Sequence, residues 1–457
     1  MGLVGRKLRG VAERAKDLVA VLGGTPVVPP VDPGLPGDPV ARAVAHLPEL
    51  ERALRENVLD FWLSRCLDHA HGGYLVNFDR QGRPTGRTSK GIVPQCRMLW
   101  LFARAFRKGH GGAELLEAAA LGFRFVAEKM WDARSGGFVW EVDARGDTIV
   151  RGKKHLVGQT YPLYAFAEYA LASRRPDVLE LATRLFDVID ARMRDARFGG
   201  YLEFFDRDWT PAPSQEIGYL SAPARVKLMN SHLHVAEALA VFHDAGPDRR
   251  PLVDQRLREL IRIQSETVFR KEFGVCTDRW ERDWTPCAGR AARRVSYGHN
   301  LENVSVTSEA CAVVGLDDSS LLPVYTSMFA YSLKYGFDAQ RGAFLESGPL
   351  GRPADWRNAI WWVQAEALWC AMRMFQLARD VEYLKIFNRV WEFVRWAQID
   401  WMHGEWHERV RPSGRVTGDK AHIWKCGYHN GRALIECIEG LRKLRSAGSP
   451  GAGAPDA

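Results

Sequence analysis

No apolar run in this chain approaches the roughly 18 residues that would cross a bilayer, so an integral membrane segment is not expected. The opening stretch MGLVGRKLRGVAERAKDLVAVLGG mixes charges throughout and lacks an unbroken apolar centre with a cleavage site, so no secretory signal is read there. There is no long basic stripe either. The 63 Lys and Arg stand against 55 Asp and Glu, a net charge of +8 scattered among acidic neighbours, which argues against nucleic acid as a partner. Eight cysteines run from Cys66 to Cys437 without a C-x-x-C pair or a zinc-ligand spacing. They read as free thiols in a reducing, cytoplasmic compartment, and no metal site is expected.

What the chain does have is length and tryptophan. Its 457 residues, 46% hydrophobic, suffice for two or three domains or one large repetitive fold. Sixteen tryptophans offer flat faces that suit sugar rings as well as cores, with most of them expected in the core. Residues 1–38 read as an extension ending in the proline-rich PVVPPVDPGLPGDP, and 447–457 as a disordered tail. The interval 39–446 is left for one catalytic-sized domain.

That interval repeats. A glycine followed by an aromatic or aliphatic residue opens a short alternating segment at Gly73, Gly137, Gly200, Gly274, Gly342 and Gly404, with successive gaps of 64, 63, 74, 68 and 62 residues. Each copy ends on Gly, Asp or Pro and reads as a hairpin. Between hairpins lie pairs of helical stretches: 90–108 with 112–130, 155–173 with 176–194, 228–244 with 250–268, 299–315 with 321–336, and 358–378 with 380–399. One helix, 428–445, follows the last hairpin, and one near 40–66 precedes the first. An open solenoid has the same period. The single helices at the two ends make a pair only if the termini meet, which favours a closed all-α (α/α)6 barrel with short β-hairpins between helix pairs. The helix after each hairpin is richer in apolar and small residues and is assigned to the inner ring. The N-termini of the inner helices then share one end of the barrel.

The residues at those N-termini carry the chemistry. The starts read KGIVPQCRMLW, KKHLVGQTY, LMNSHLHVAEAL, SYGHNLENVSV, RNAIWWVQAEAL and WKCGYHNGRAL. Three hold histidines: His234 or His232, His299, and His429. Others hold Arg97, Gln159, Trp361, Trp362 and Glu366. His234 and Glu237 are three apart, as are His299 and Glu302, so each pair shares a helix face. A carboxylate fixes an imidazole's tautomer and raises its basicity, while a helix N-terminus opposes protonation, a balance suited to general acid–base work. Trp361 and Trp362 cannot point the same way, so one is expected to line the cavity and the other to pack. Arg97 meets either a ligand oxygen or an internal carboxylate. In IWKCGYHNGR, His429 stands close to both Trp424 and Arg432, which suits proton chemistry beside an aromatic platform. His155 is expected to be a cap or core residue, and His403 and His407 rim or structural residues.

With MNSHLHVAEA, SYGHNLE, WWVQAEAL and WKCGYHNGRA in this order, the chain resembles the N-acylglucosamine 2-epimerase superfamily, and within it the cellobiose and mannose 2-epimerases, from about residue 42 to 445. The resemblance implies the (α/α)6 barrel and cofactor-free inversion at C2 of a reducing sugar. Carried over by motif, His299 and His429 would be the two acid–bases and His234 a supporting histidine, with Asn230 one turn before it. Arg97 would contact the reacting sugar's oxygens, and Glu302 would be the carboxylate partner. Trp361, Trp362 and Trp424 would line the sugar site, with Glu366 grouped among the substrate contacts. The chain departs from the pattern with Asn300 where Asp is usual, Gly427 for Pro, and Ser231 for Thr.

The expected function is therefore epimerisation of an aldose, either a disaccharide such as cellobiose or glucose and mannose, through an enediolate. Return of the proton at C1 instead would make an aldose–ketose isomerase. A glycoside hydrolase recruiting Glu302 and Glu366, or a non-catalytic carbohydrate-binding protein, is the alternative of a different class. The partner is a small sugar, and pairing with a second copy of the chain is left open.

Overall fold

The computed structural model describes residues 37–447, so nearly all of the expected extension and tail lie outside the described residues. The chain begins with a helical run broken into α1 (Pro39–Ala45), α2 (Leu47–Arg52), a π-helical turn (Ala53–Leu59) and α3 (Asp60–Arg65). A single helix was expected here. Pro48 breaks it, because proline in the first turn of α2 cannot donate the hydrogen bond that would continue α1. Five helix pairs follow: α4 (Ile92–Arg107) and α5 (Ala113–Phe125), α6 (Leu156–Ser173) and α7 (Pro176–Arg192), α8 (Met229–Ala245) and α9 (Arg250–Arg262), α10 (Tyr297–Val313) and α11 (Leu322–Gly336), and α12 (Trp361–Ala378) and α13 (Glu382–Phe393). The chain closes with α14 (Tyr428–Ala447).

Burial separates the two rings. Along α4 nearly every side chain from Ile92 to Ala103 is buried, as a helix enclosed on all sides requires. In α7 only Val178, Ala182, Leu185, Phe186 and Ile189 are buried, one stripe at helical spacing facing inward. Among the described residues the inner ring runs α4, α6, α8, α10, α12, α14 and back to α4. The N-terminal run packs on α13 and α14 and takes the last outer place. Trp62 Nε1 donates to Glu405 Oε2 at 2.7 Å, and Asn57 Nδ2 to the Asp400 carbonyl at 2.8 Å. The first and last repeats of the described residues therefore meet, and the barrel is closed.

Five of the six expected hairpins fold back on themselves: Glu141–Val142 pairs with Ile149–Arg151, Arg409–Val410 with Val416–Thr417, and bridges join Phe78 to Pro84, Phe205 to Pro211 and Trp280 to Pro286. The strand entering each inner helix pairs antiparallel with a strand of the following repeat: Lys90–Gly91 with Glu141–Val142, Lys154–His155 with Phe204–Phe205, Val226–Leu228 with Arg279–Glu281, Arg294–Ser296 with Ser347–Pro349, and Ala359–Ile360 with Arg409–Val410. A bridge from Phe78 to Ala421 joins first and last repeats. These short ladders tie successive repeats together at one end of the barrel, the end where the inner helices start.

Two buried polar devices fix those starts. On five inner helices an amide or imidazole clamps the turn after the repeat glycine, and on α14 the matching Asn430 bonds Glu405 Oε1 instead. Gln95 bonds both backbone groups of Tyr74, Gln159 those of Phe138, Gln364 those of Phe344, and Asn300 those of Cys276. His232 accepts the Tyr201 N–H at 2.8 Å. The glycine is required because the clamp leaves no room: at Gly73 and Gly137, with φ of +69° and +71°, a Cβ would lie 2.6 and 2.8 Å from the glutamine oxygen. Buried ion pairs form the second device, Asp68–Lys90 at 2.7 Å, Asp132–Lys154 at 3.1 Å, Asp195–Lys227 at 3.0 Å and Asp400–Lys420 at 2.9 Å.

Candidate active site

Counting from the clamp explains which side chains face the axis. Two residues beyond it, on the opposite side of each inner helix, stand Arg97, Tyr161, His234, Glu302, Glu366 and Arg432, the last counted from Asn430. They form one layer across the barrel. Arg97 donates to the Tyr161 hydroxyl. That hydroxyl lies 3.2 Å from His234 Nε2. Arg432 Nη2 donates to Glu302 Oε1 at 2.6 Å and to Glu366 Oε1 at 2.7 Å. One residue before the clamp, at matching places on α10 and α14, stand His299 and His429.

Above the layer is a cavity of about 230 Å³. Arg97, Asn230, His234, His299, Glu302, Trp361, Trp362, Trp424 and His429 line it, together with Val157, Tyr161 and Leu220. The fold thus brings nine of the ten expected site residues to one wall. The tenth, Glu366, was grouped with the substrate contacts; it is fully buried and lies behind His429, with Oε1 2.6 Å from Nδ1. Of the two histidines in NSHLH, His234 faces the cavity and His232 is the turn clamp, its Nδ1 bonded to the Leu228 carbonyl at 2.7 Å. Trp361 and Trp362 both reach the cavity, where only one was expected to. Trp361 leans toward the last loop, under the Lys425 ammonium at 5.3 Å, while Trp362 contacts His299 and His429 at ring centroid distances of 4.7 and 5.7 Å.

The carboxylate partnerships differ from simple helix spacing. His234 Nδ1 does meet Glu237 Oε2 at 3.0 Å. Glu302, three residues from His299, turns instead to Arg432 and lies 4.0 Å from His429 Nδ1, because the buried guanidinium attracts it more strongly than a neutral ring. Glu302, Glu366 and His429 cluster closely enough for a cation, and Arg432 Nη2 already bridges the two carboxylates. Arg97 joins no ion pair among the described residues. Its Nη1 donates to the Trp424 carbonyl at 3.0 Å, and its guanidinium lies between the rings of Tyr161 and Tyr428 at 4.5 and 4.9 Å. His155 is buried and stacked on Phe204, and His403 bonds Asp400 at 3.1 Å.

Charge states follow from burial. Burial, then the nearby His234 and Arg97, pulls His299 down to about 3. Burial also holds His234 and His429 well below the ordinary imidazole value, with Arg97 adding to it. Burial pushes Glu302 up to about 8 against the pull of Arg97, and raises Glu366 further with the help of Glu302. Arg432, lowered by burial to about 10, stays a cation at neutral pH. The cavity is therefore walled by neutral imidazoles that can accept a proton, with Glu237 behind His234 and with Glu366, held protonated by burial, behind His429.

Tyr161 was missed from the sequence, although its place two residues after Gln159 matches Arg97 after Gln95. Leu220 was missed because it comes from the loop of the longest repeat, which has no counterpart elsewhere. The three departures have local reasons here. Asn300 must donate as well as accept at Cys276, Ser231 Oγ donates to Glu203 at 2.7 Å, and a Cβ at Gly427 would lie 2.5 Å from Trp62 Nε1.

Comparison with known proteins agrees with this fold. The cellobiose 2-epimerase of Bacteroides fragilis is 29% identical over 396 residues, covering 85% of this chain and 98% of its own. That of Dictyoglomus turgidum is 29% identical over 405 residues, covering 86% and 97%. The solved structure of cellobiose 2-epimerase from Spirochaeta thermophila superposes with a TM-score of 0.78 at 30% identity, over 88% of this chain and 98% of that one. Residues 73–433 match the profile of N-acylglucosamine 2-epimerase (GlcNAc 2-epimerase), and the chain belongs to that family.

Proposed function

We propose that the chain is a sugar 2-epimerase, an isomerase that inverts C2 at the reducing end of an aldose, with a cellobiose-type disaccharide or the glucose–mannose pair as substrate. One observation carries the reading: His299 and His429 occupy the same register on two inner helices, face one cavity and both touch Trp362.

The chemistry follows from that placement. Once the sugar has opened to its aldehyde, the C2 proton is acidified by the neighbouring carbonyl. One neutral imidazole removes it and becomes an imidazolium. The enediolate that forms carries charge on O1, where Arg97, already held by the Trp424 carbonyl and Tyr161, supplies a fixed donor. The opposite histidine, neutral before the sugar is bound and protonated from solvent as the enediolate forms, returns that proton to the other face of C2, and the first imidazolium gives its proton back to solvent. The roles exchange when the reaction runs backward, and each acid–base group contributes about 10²–10⁴-fold. His234, with Glu237 behind it and Tyr161 beside it, supports the sugar hydroxyls. Trp361, Trp362 and Trp424 give apolar faces for the sugar's C–H surfaces.

The test is incubation with glucose, mannose, cellobiose and N-acetylglucosamine in D2O, followed by NMR. The expected result is deuterium at C2 of an inverted product. His299→Ala and His429→Ala should each abolish that label, and retained exchange in both would overturn the assignment. Label at C1 in a ketose would identify an aldose–ketose isomerase instead. Free monosaccharide from cellobiose would identify a hydrolase.

A further inference from the structure

Three buried carboxyl groups share one cation beneath the cavity. Arg432 is 2% exposed, and its faces are covered by the rings of Trp369 and Tyr428 at 4.6 and 4.7 Å. Nη2 bridges Glu302 and Glu366. Nη1 pairs with Glu237 Oε1 and donates to the Tyr428 hydroxyl at 2.7 Å, and that hydroxyl donates to the same Glu237 oxygen at 2.6 Å. A planar fork held at both tips cannot swing as an ammonium does.

Two of the gripped carboxyl groups grip histidines in turn. Glu366 takes His429 Nδ1, and Glu237, through its other oxygen, takes His234 Nδ1. An imidazole whose Nδ1–H is spent on a fixed carboxyl oxygen must present Nε2 elsewhere, here to the cavity. Among the described residues no carboxylate bonds the His299 ring in this way. That ring lies against Trp362, and the Ser296 hydroxyl bonds only the residue's backbone N–H, at 3.4 Å.

We propose that Arg432 is a positioning residue for the proton transfer: by holding Glu366 and Glu237 it sets the tautomer and aim of His429 and His234 without touching the sugar. This rests on the two-histidine reading above. It carries a consequence that general loosening of the barrel does not. Loss of Arg432 impairs the half-reaction at His429 and leaves that at His299 intact, so the two faces of C2 become unequal.

Arg432→Lys keeps a cation but cannot bridge three carboxyl groups. Its kcat should fall about 10²-fold with KM nearly unchanged. Deuterium at C2 of the substrate then separates the two steps. With the His429 step limiting, the isotope effect on kcat/KM rises for the epimer whose proton His429 removes and falls toward unity for the other. The inference is overturned by an unchanged kcat, by a loss carried in KM, or by isotope effects that move together. If Arg432→Lys does not melt cooperatively, the paired Arg432→Gln, Glu366→Gln protein replaces it. It should show the same inequality of isotope effects between the two epimers as Glu366→Gln alone, since Arg432 reaches His429 only through Glu366; a further widening of that inequality overturns the inference. Retained C2 exchange in both His299→Ala and His429→Ala would sink the two-histidine reading itself, a different result from any of these.

Discussion

Two histidines two residues apart, His232 and His234, do unlike work, and the difference can be measured. His232 is fully buried, with Nδ1 on the Leu228 carbonyl and Nε2 receiving the Tyr201 N–H. His232→Ala leaves the buried Tyr201 N–H without its partner, at about 1–3 kcal/mol. Its melting temperature should drop, with activity retained in the folded fraction. His234→Ala opens space on a wall that already borders the cavity, so its melting temperature should stay close to that of the parent while kcat falls. Differential scanning calorimetry beside initial rates checks both, and the reverse pattern would show that the two roles are misassigned. At this scale the sequence shows which residue types gather at the helix starts but not which carboxylate each histidine uses. Glu302 sits at ideal helical spacing from His299, yet Arg432, far along the chain, takes it. Helix spacing describes neighbours within an element, and the strongest charge in this site belongs to another element.

Three inner helices, α4, α6 and α8, start where a lysine from the entering strand meets an aspartate from the preceding turn, so these pairs act on whole elements. Lys154 and Asp132 are almost fully buried at 3.1 Å. Burial raises the Asp132 carboxyl, but Arg207 and Lys154 outweigh it and hold it well below the ordinary carboxylate range. Burial lowers Lys154 to about 8, so the two halves shift in ways that favour different charge states, yet at neutral pH both remain charged and the contact is that of an ion pair. Lys154→Met should cost about 3 kcal/mol, the low end for breaking a buried pair, because Arg207 still reaches Asp132 at 2.8 Å. The pH dependence has a definite sign. A carboxylate held below its unfolded value of about 3.9 contributes fully above that pH, and the contribution is lost as pH falls toward the folded value. The parent protein should therefore lose stability below about pH 4, and Lys154→Met should lose less of it there, as urea denaturation at stepped pH would show. The helices themselves were legible from apolar periodicity, to within a turn at most ends. The strand pairing between repeats was not, because segments of two or three residues have no period to read, and partners in the next repeat lie some 50 residues away.

For the whole molecule the decisive feature is that a ring has no spare segment. The sequence indicated closure by arithmetic, since one helix before the first hairpin and one after the last make a pair only if they meet. What it could not indicate is that the joint holds polar groups as well as apolar ones, because those partners are more than 340 residues apart. Removal of residues 37–65 from the closed barrel would uncover the faces of α13 and α14 now covered by Leu47, Leu50, Leu54, Val58, Phe61 and Trp62, all buried. At about 1.5–3 kcal/mol for each large apolar side chain returned to water, the sum approaches or exceeds the roughly 5–15 kcal/mol by which a domain is stable. Glu405 would also lose its bond from Trp62 while still buried against Lys425 and Asn430. That loss falls beside the active site, since Asn430 adjoins His429 and sits one turn from the loop that carries Trp424. The truncated chain should therefore bind 1-anilinonaphthalene-8-sulfonate, melt without a sharp transition and show no C2 exchange. A cooperative melt with parental exchange would mean that the five remaining pairs and α14 hold the site without closure, and that the barrel behaves as an open stack whose N-terminal helical run is dispensable.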